Sequence, residues 1–270
     1  MSMSLVFEAG IDLAEQGPLE LSIVETGGQT FAIDLDEGLY FLTTDGATLT
    51  DGDYYEDIVA DYDSLLAAIK TALDAGGDAT YTVTYDDETE RVTIAASGGG
   101  VSAVSITPTA GGGLIGLTGA MSGALSHTCQ RAPDYAIAGA SGFWGSEWTG
   151  EYEGGDDVAY DVEAHDGTPG GAAKEDAPIY LDFDLPLEPV ARVGNMPREI
   201  ASSAPWTWRH FWKHCRNVNP FVMRDDAGTK YALMLRAEGA RFRPRALGQG
   251  YVARWDLDFR TRVIARKDGN

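Results

Sequence analysis

Cysteine is scarce: Cys129 and Cys215 are the two in 270 residues. They lie far apart and carry no metal-binding spacing. A disulfide framework is therefore not expected, and two reduced thiols, in a chain made in a cytoplasm, are. No apolar run approaches the ~20 residues that a helix needs to cross a bilayer. Residues 1–5 hold no basic side chain, so a secretory signal is not expected there. Basic residues are almost missing from most of the chain. Before position 191, Lys70, Arg91, Arg131 and Lys174 stand against 35 acids, a balance of −31. Such a body repels phosphate, which ranks nucleic acid well below protein as a partner. Periods of 20–50 residues are lacking too, which speaks against a solenoid.

Recognisable chemistry is also short. Ser141 and Ser146 lack the G-x-S-x-G elbow of a hydrolase. The glycine runs at 98–100 and 111–113 lack the lysine of a phosphate loop and the acid of a dinucleotide fold. Three acidic groups invite a calcium reading: Asp34, Asp36 and Glu37; Asp86, Asp87 and Glu88; Asp156, Asp157 and Asp161. None has the EF-hand spacing, and turn acids of this kind are expected to be solvated. His210 and His214 have the i, i+4 spacing that lets two imidazoles share zinc. Phe211 stands where a metalloprotease has glutamate, and Arg209, Lys213 and Arg216 disfavour a dication. No catalytic residue, metal site or cofactor is expected, and the chain is read as a non-enzyme. Carboxylate pairs that cleave glycosides are set by space rather than by sequence spacing, so an acid-site polysaccharide hydrolase stays as an alternative. A substrate panel with no turnover retires it.

What is present is β-pattern. Leu19, Leu21 and Ile23 alternate with polar neighbours, Gly27-Gly28 signals a turn, and Phe31, Ile33 and Leu35 alternate again. A helix follows. Asp63 or Ser64 caps it, Leu65, Leu66, Ile69 and Leu73 line one face, and Gly76-Gly77 ends it. Tyr81, Val83 and Tyr85 face Val92 and Ile94 across a turn at 86–90, and Val104 and Ile106 mark a further strand. Phe143, Trp144, Trp148 and Tyr152 crowd among glycines. Interface packing is favoured for them, and sugar stacking is the alternative, as in the carbohydrate-binding module of a receptor-binding spike. A glycan array with Trp144→Ala separates the two. Residues 163–176 read as a long loop, and Ile179, Leu181, Phe183 and Leu185 as a strand.

The last eighty residues reverse the charge, with sixteen basic residues against seven acids after position 190, a balance of +9. Ser202-Ser203 and Pro205 predict a helix start, and Trp208, Phe211, Trp212 and Cys215 share one face. Residues 251–263 alternate strictly. Trp255, Leu257 and Phe259 lie on one face, and Arg254, Asp256, Asp258, Arg260 and Arg262 on the other. Arg241, Arg243 and Arg245 alternate with Phe242 and Pro244 as a basic edge segment. The expected core here is Trp208, Phe211, Trp212, Trp255, Leu257 and Phe259, with the odd face of 251–263 packed under the helix. The expected interface is Trp144, Trp148, Arg241, Arg243, Arg245, Arg254, Arg260 and Arg262, meeting an acidic neighbour or the adjacent copy.

The order Ser64-Leu65-Leu66-Ala67-Ala68-Ile69, Tyr81-Thr82-Val83-Thr84-Tyr85, Arg91-Val92-Thr93-Ile94 and Leu114-Ile115-Gly116-Leu117 resembles a segment of tailed-bacteriophage virion proteins. Trp206-Thr207-Trp208-Arg209-His210-Phe211-Trp212, Asn219-Pro220-Phe221 and Trp255-Asp256-Leu257-Asp258-Phe259 are similar to stretches of tail-associated proteins of long-tailed phages. Together the resemblances imply a virion structural protein of the tail tip or baseplate, similar to a distal tail protein. They imply a ring of copies, contacts with tail tube, hub or fibre proteins, a part in host attachment, assembly in the host cytoplasm, and no membrane.

The expected fold is mainly β with a few short helices, an α+β class of sandwich-like or barrel-like sheets each packed by a helix. The expected organisation is a β-rich part at 1–120 containing a helix–hairpin module at 63–119, an aromatic and glycine-rich region at 121–190, and a helix-plus-strand block at 191–270.

Overall fold

The computed structural model describes residues 6–49, 59–138, 152–153, 159–163, 169–173, 180–189, 207–215, 219–224, 230–235, 241–246 and 252–267. The chain opens with β1 (Val6–Ala9), β2 (Ile11–Asp12), a one-turn helix (Leu13–Gln16), β3 (Leu19–Thr26), β4 (Thr30–Leu35) and β5 (Leu39–Phe41). β6 (Tyr62–Ser64) leads into the helix Leu65–Gly76, then β7 (Thr80–Asp86), β8 (Arg91–Ser97), β9 (Ala103–Ala110), β10 (Met121–Ala124) and β11 (Ser126–Thr128). Next come β12 (Ala136–Ala138), β13 (Tyr152–Glu153), β14 (Ala159–Glu163), β15 (Pro169–Ala173) and β16 (Tyr180–Pro189). The helix Trp208–Cys215 precedes β17 (Phe221–Arg224), β18 (Lys230–Leu235), β19 (Arg241–Ala246) and β20 (Val252–Lys267). The class is mainly β with short helices, as the sequence pattern predicts.

Period-two alternation builds the first sheet, ordered β10-β9-β3-β4. Leu19, Leu21 and Ile23 are fully buried on β3, while Glu20, Ser22 and Val24 turn outward. Ile23 faces Ile106 of β9, and Leu21 faces Ile33 of β4. The second sheet, β11-β8-β7, adds Tyr81, Val92 and Ile94 to the same core. His127 of β11 ties the two sheets, since its Nε2 lies 2.7 Å from the Val104 carbonyl and must donate to it. Each apolar side chain sealed in this way is worth about 1.5–3 kcal/mol.

The helix Leu65–Gly76 lies against β4 and β7. Ser64 caps it through Oγ, which accepts from Ala67 N–H at 3.3 Å, and Gly77 N–H closes it onto the Leu73 carbonyl. Leu65, Leu66, Ile69 and Leu73 are its buried side chains. Gly76 is required by proximity: a Cβ there would stand 2.3 Å from the Phe31 ring.

The eight-stranded sheet runs β12-β1-β17-β18-β20-β16-β13, with β19 also paired to β20. It draws strands from 1–120, 121–190 and 191–270 alike, and β1, the first described strand, is an interior strand of it. The helix Trp208–Cys215 packs Trp208, Phe211 and Trp212 into the core beside this sheet. Trp208 meets Phe7 of β1 edge-on at 5.2 Å, and Phe211 and Trp212 meet Phe221 of β17 at 5.5 and 5.8 Å. Such edge contacts add about 0.5–1.5 kcal/mol beyond area burial.

Some expectations change. The helix begins at Trp208, where the Thr207 carbonyl accepts from Phe211 N–H. Ser202, Ser203 and Pro205 lie outside the described residues. Residues 169–173, read as loop, form a hairpin with 159–163. Pro169 opens its strand, a position where a missing N–H is tolerated. The final strand extends past 263 to Lys267.

Candidate functional site

A heavily connected carboxylate sits where β1 meets β17. Glu8 of β1 is completely buried. A carboxylate there needs donors, and four reach it. Oε2 accepts from the backbone N–H of Thr43 and of Thr44, each at 3.1 Å. Oε1 accepts from Arg224 Nε at 3.2 Å and from the Thr43 hydroxyl. Arg224 ends β17, whose register sets Glu8 opposite Val222, one position-pair away. The other edge of the guanidinium donates to Asp87, Nη1 to Oδ2 at 3.1 Å and Nη2 to Oδ1 at 2.9 Å. Asp87 lies in the turn between β7 and β8. Burial disfavours the charged guanidinium, but the carboxylates of Asp87 and Glu8 outweigh it and hold its pKa above the usual value. The fork geometry suits arginine and not lysine.

A cleft of about 410 Å³ opens beside this junction, lined among others by Thr43, Ser64, Lys70, Tyr85, Asp87 and Arg224. The cations in it are engaged, Arg224 as described and Lys70 with Asp74. Among the described residues the buried Tyr85 hydroxyl has no hydrogen-bond partner. Burial first, then the charges of Glu90, Asp87 and Glu8, push its pKa up.

Glu25 forms a second sealed carboxylate. Its Oε2 accepts from Gln29 N–H and Asp78 N–H, both at 3.0 Å, and its Oε1 from Ala79 N–H at 3.1 Å and Tyr81 Oη at 2.7 Å. Burial raises its pKa, and the four donors together overcome that and leave it lowered. The side chain thus bolts the β3–β4 turn to the end of the helix Leu65–Gly76.

The other chemistry-bearing groups are likewise engaged. His214 Nε2 lies 2.6 Å from the Gly10 carbonyl, which fixes it as a donor, and burial lowers its pKa. His210 is exposed, with Nδ1 3.2 Å from Thr207 Oγ1. Among the described residues no three His, Cys, Asp or Glu side chains gather as a metal site. Cys129 and Cys215 are free and buried; burial pushes the first thiol to about 12 and the second well above its usual value. Asp86 accepts from Glu88 N–H at 2.9 Å and from Thr89 Oγ1, which shapes the hairpin turn and lowers its pKa.

Register places the arginines on the eight-stranded sheet. Arg241 is opposite Asp258, Arg243 opposite Asp256, and Arg260 opposite Asp182. Arg245 is opposite Arg254, whose other neighbour is Pro189, and Arg262 lies between Tyr180 and Met234. All share one face, because directly paired residues of a sheet do. Trp255, Leu257 and Phe259 occupy the alternate positions of β20. Trp144 and Trp148 lie outside the described residues.

Glu8 and Arg224 were not singled out by sequence pattern, and Asp87 was noted only within a group of turn acids expected to be solvated. The available signal was a lone acid inside the apolar run Val6-Phe7-Glu8-Ala9, with all four residues buried. Its partner, 216 positions away, leaves no local trace.

No helix among the described residues is long and apolar enough to cross a membrane. Neither a family model nor a curated protein matches the chain. Among solved structures, the crystal structure of selenomethionine-labelled mavirus penton protein aligns over 98% of this chain and 89% of that one, at 11% identity and a TM-score of 0.26. An overlap at that level does not establish a shared fold.

Proposed function

We propose that this chain is a structural protein of a virion, a component of a bacteriophage tail tip or baseplate that forms a ring of copies and docks neighbouring tail proteins. The observation that carries the reading is the helix–hairpin unit. The residues that resemble a virion module, the capped helix, the Tyr81–Tyr85 strand, its Arg91–Ile94 return and the Leu114–Leu117 turn, fold together around one core. The use made of charge supports it. Glu8, Glu25, Arg224, Asp87 and His214 join one segment of the chain to another, which is the employment of a scaffold. The reading assigns the chain no catalytic role.

The test is the state of the purified full-length chain. Light scattering behind size exclusion, with negative-stain microscopy, is expected to show a closed ring of low symmetry. A monomer at every concentration, absent from purified particles, overturns the proposal.

A further inference from the structure

Among the described strands β7 ends its sheet, and half of its main chain has no strand to bond. The ladders show which half. Ala96 N–H donates to the Leu125 carbonyl and Cys129 N–H to that of Val92, both at 2.8 Å, so the even residues of β8 bond toward β11. The odd residues then bond toward β7, where Thr80, Thr82, Thr84 and Asp86 face them. The N–H and C=O groups of Tyr81, Val83 and Tyr85 therefore point off the edge. Tyr81 N–H is taken by Asp74 Oδ1 at 2.7 Å, from the last turn of the helix Leu65–Gly76. The main-chain groups of Val83 and Tyr85 have no partner among the described residues. They border the cleft of about 410 Å³, which Ala67 and Lys70 line from the helix and Val83, Thr84 and Tyr85 from the strand. The helix thus closes the edge at one end and leaves it open at the other. The Tyr85 hydroxyl, buried and without a partner among the described residues, adds an unmet side-chain group to the same wall.

We propose that the open edge of β7, at Val83 and Tyr85, receives an extended segment of a second copy of this chain, added as a further strand. An unpaired edge is a template for strand addition, in which main-chain bonds hold the segment and the surrounding walls select it. Charge names the segment. Glu8 and Asp87 against Arg224 leave one net negative charge at the cleft, and Lys70 is cancelled by Asp74. A basic segment is favoured there. The stretch after position 190 carries +9, while the rest of the chain carries −31. The inference rests on the ring reading and names its contact. β4 supplies the control: it also ends its sheet, with Ala32 pointing off the edge in the same way, but it does not line this cleft.

The experiment uses the full-length chain. Hydrogen exchange read by mass spectrometry, below and above the concentration of assembly, is expected to slow in 80–86 on assembly and to stay unchanged in 30–35. Sedimentation velocity at low and high salt, with thermal melting, compares wild type with Val83→Pro, Ala67→Trp and Ala32→Pro. Val83→Pro deletes an N–H that no ladder bond uses, a place where an edge strand tolerates proline. Ala67→Trp, at an exposed helix position, fills the cleft. Both are expected to weaken self-association about tenfold or more at an unchanged melting temperature, the worth of a main-chain bond or two. Ala32→Pro is expected to associate like wild type. Should Val83→Pro fail to fold, Ala67→Trp and the exchange decide. No slowing in 80–86, or Ala67→Trp associating as wild type does, overturns this proposal and leaves the ring reading standing. Ala32→Pro weakening association as much as Val83→Pro also overturns it, because proline then acts through the fold. Association that high salt leaves unweakened overturns the basic segment as occupant. A wild-type chain that never associates overturns both readings.

Discussion

Glu25, on β3 against the end of the helix Leu65–Gly76, and Glu8, at the seam where β1 meets β17, are both sealed carboxylates, yet their surroundings differ. Glu25 is held by neutral donors, three backbone N–H groups and the Tyr81 hydroxyl. Glu8 has three neutral donors as well, the Thr43 and Thr44 N–H groups and the Thr43 hydroxyl, but its fourth is a cation, Arg224, which a second acid, Asp87, in turn orients. Neutral donors come from nearby turns and carry no charge of their own to desolvate. An arginine brings a charge that must itself be compensated. The first arrangement fastens a unit internally. The second makes three separate segments depend on one another, since the buried guanidinium is fully compensated only when both acids are in place.

The largest test of that difference is Arg224→Ala. It strands Glu8 at zero exposure with its cation gone, and breaking a buried pair this way costs about 3–5 kcal/mol. Urea unfolding monitored by tryptophan fluorescence measures it. Asp87→Asn removes only the half-exposed arm and is expected to cost less than half as much. Equal losses would mean that Asp87, rather than Glu8, is the group the arginine serves. Arg224→Met combined with Glu8→Leu is expected to recover much of the loss, because an apolar replacement needs no compensation.

Glu25→Gln comes next. The Tyr81 hydroxyl can turn to accept from the new amide, but the Ala79 N–H then faces a donor, a loss of about 1–3 kcal/mol. The pH response sharpens the point. Because the folded-state pKa of Glu25 lies below its ordinary value, its contribution is complete above the usual carboxylate range and disappears as pH falls through the lowered value. Glu25→Gln removes that acid-sensitive part, so wild type and variant are expected to converge in stability as pH is lowered. Curves that stay parallel would show that the carboxylate is not the titrating group.

How much of this was legible follows the range of each interaction. Ser64, Leu65, Leu66, Ile69 and Leu73 could be read because a cap and a helical face are fixed within a few residues of one another. The β3 and β7 alternations were legible for the same reason. The aromatic face of Trp208, Phe211 and Trp212 was visible as a stripe, but its partners Phe7 and Phe221 were not. One of them comes from β1, the first described strand, and strand order is not written in periodicity. Asp87 looked like an ordinary turn acid, because its neighbours in sequence make it one and only Arg224 distinguishes it. The pairing of Arg245 with Arg254 needed the register, which the alternation alone leaves open.

His214 gives a smaller check on the seam. Its Nε2 donates to Gly10, and burial holds its pKa below the ordinary histidine value. The folded chain therefore binds fewer protons there than the unfolded one, and stability is lost as pH falls from the ordinary value toward the lowered one. His214→Gln can keep an N–H for the Gly10 carbonyl while lacking a titration. It is expected to flatten the stability profile in that interval, measured by thermal melting across pH. A profile with the wild-type slope would place the titrating group elsewhere.

The smallest effect tests whether local fastening is the cheaper kind. Ser64→Ala removes the cap of the helix Leu65–Gly76, whose Oγ accepts from Ala67 N–H and donates to the Leu42 carbonyl at 3.4 Å. Both contacts are partly solvated, so water replaces them and the cost is about 1 kcal/mol. Ser64→Asp keeps the acceptor at the positive end of the helix but loses the donor to Leu42, and is expected between serine and alanine. If Ser64→Ala costs as much as Arg224→Ala, the seam is no more demanding than an ordinary helix start, and the distinction between the two carboxylates has no energetic content. If it costs a third or less, the stability of the fold is concentrated where distant segments meet, and disruption there should unfold the helix–hairpin unit and the large sheet in one transition.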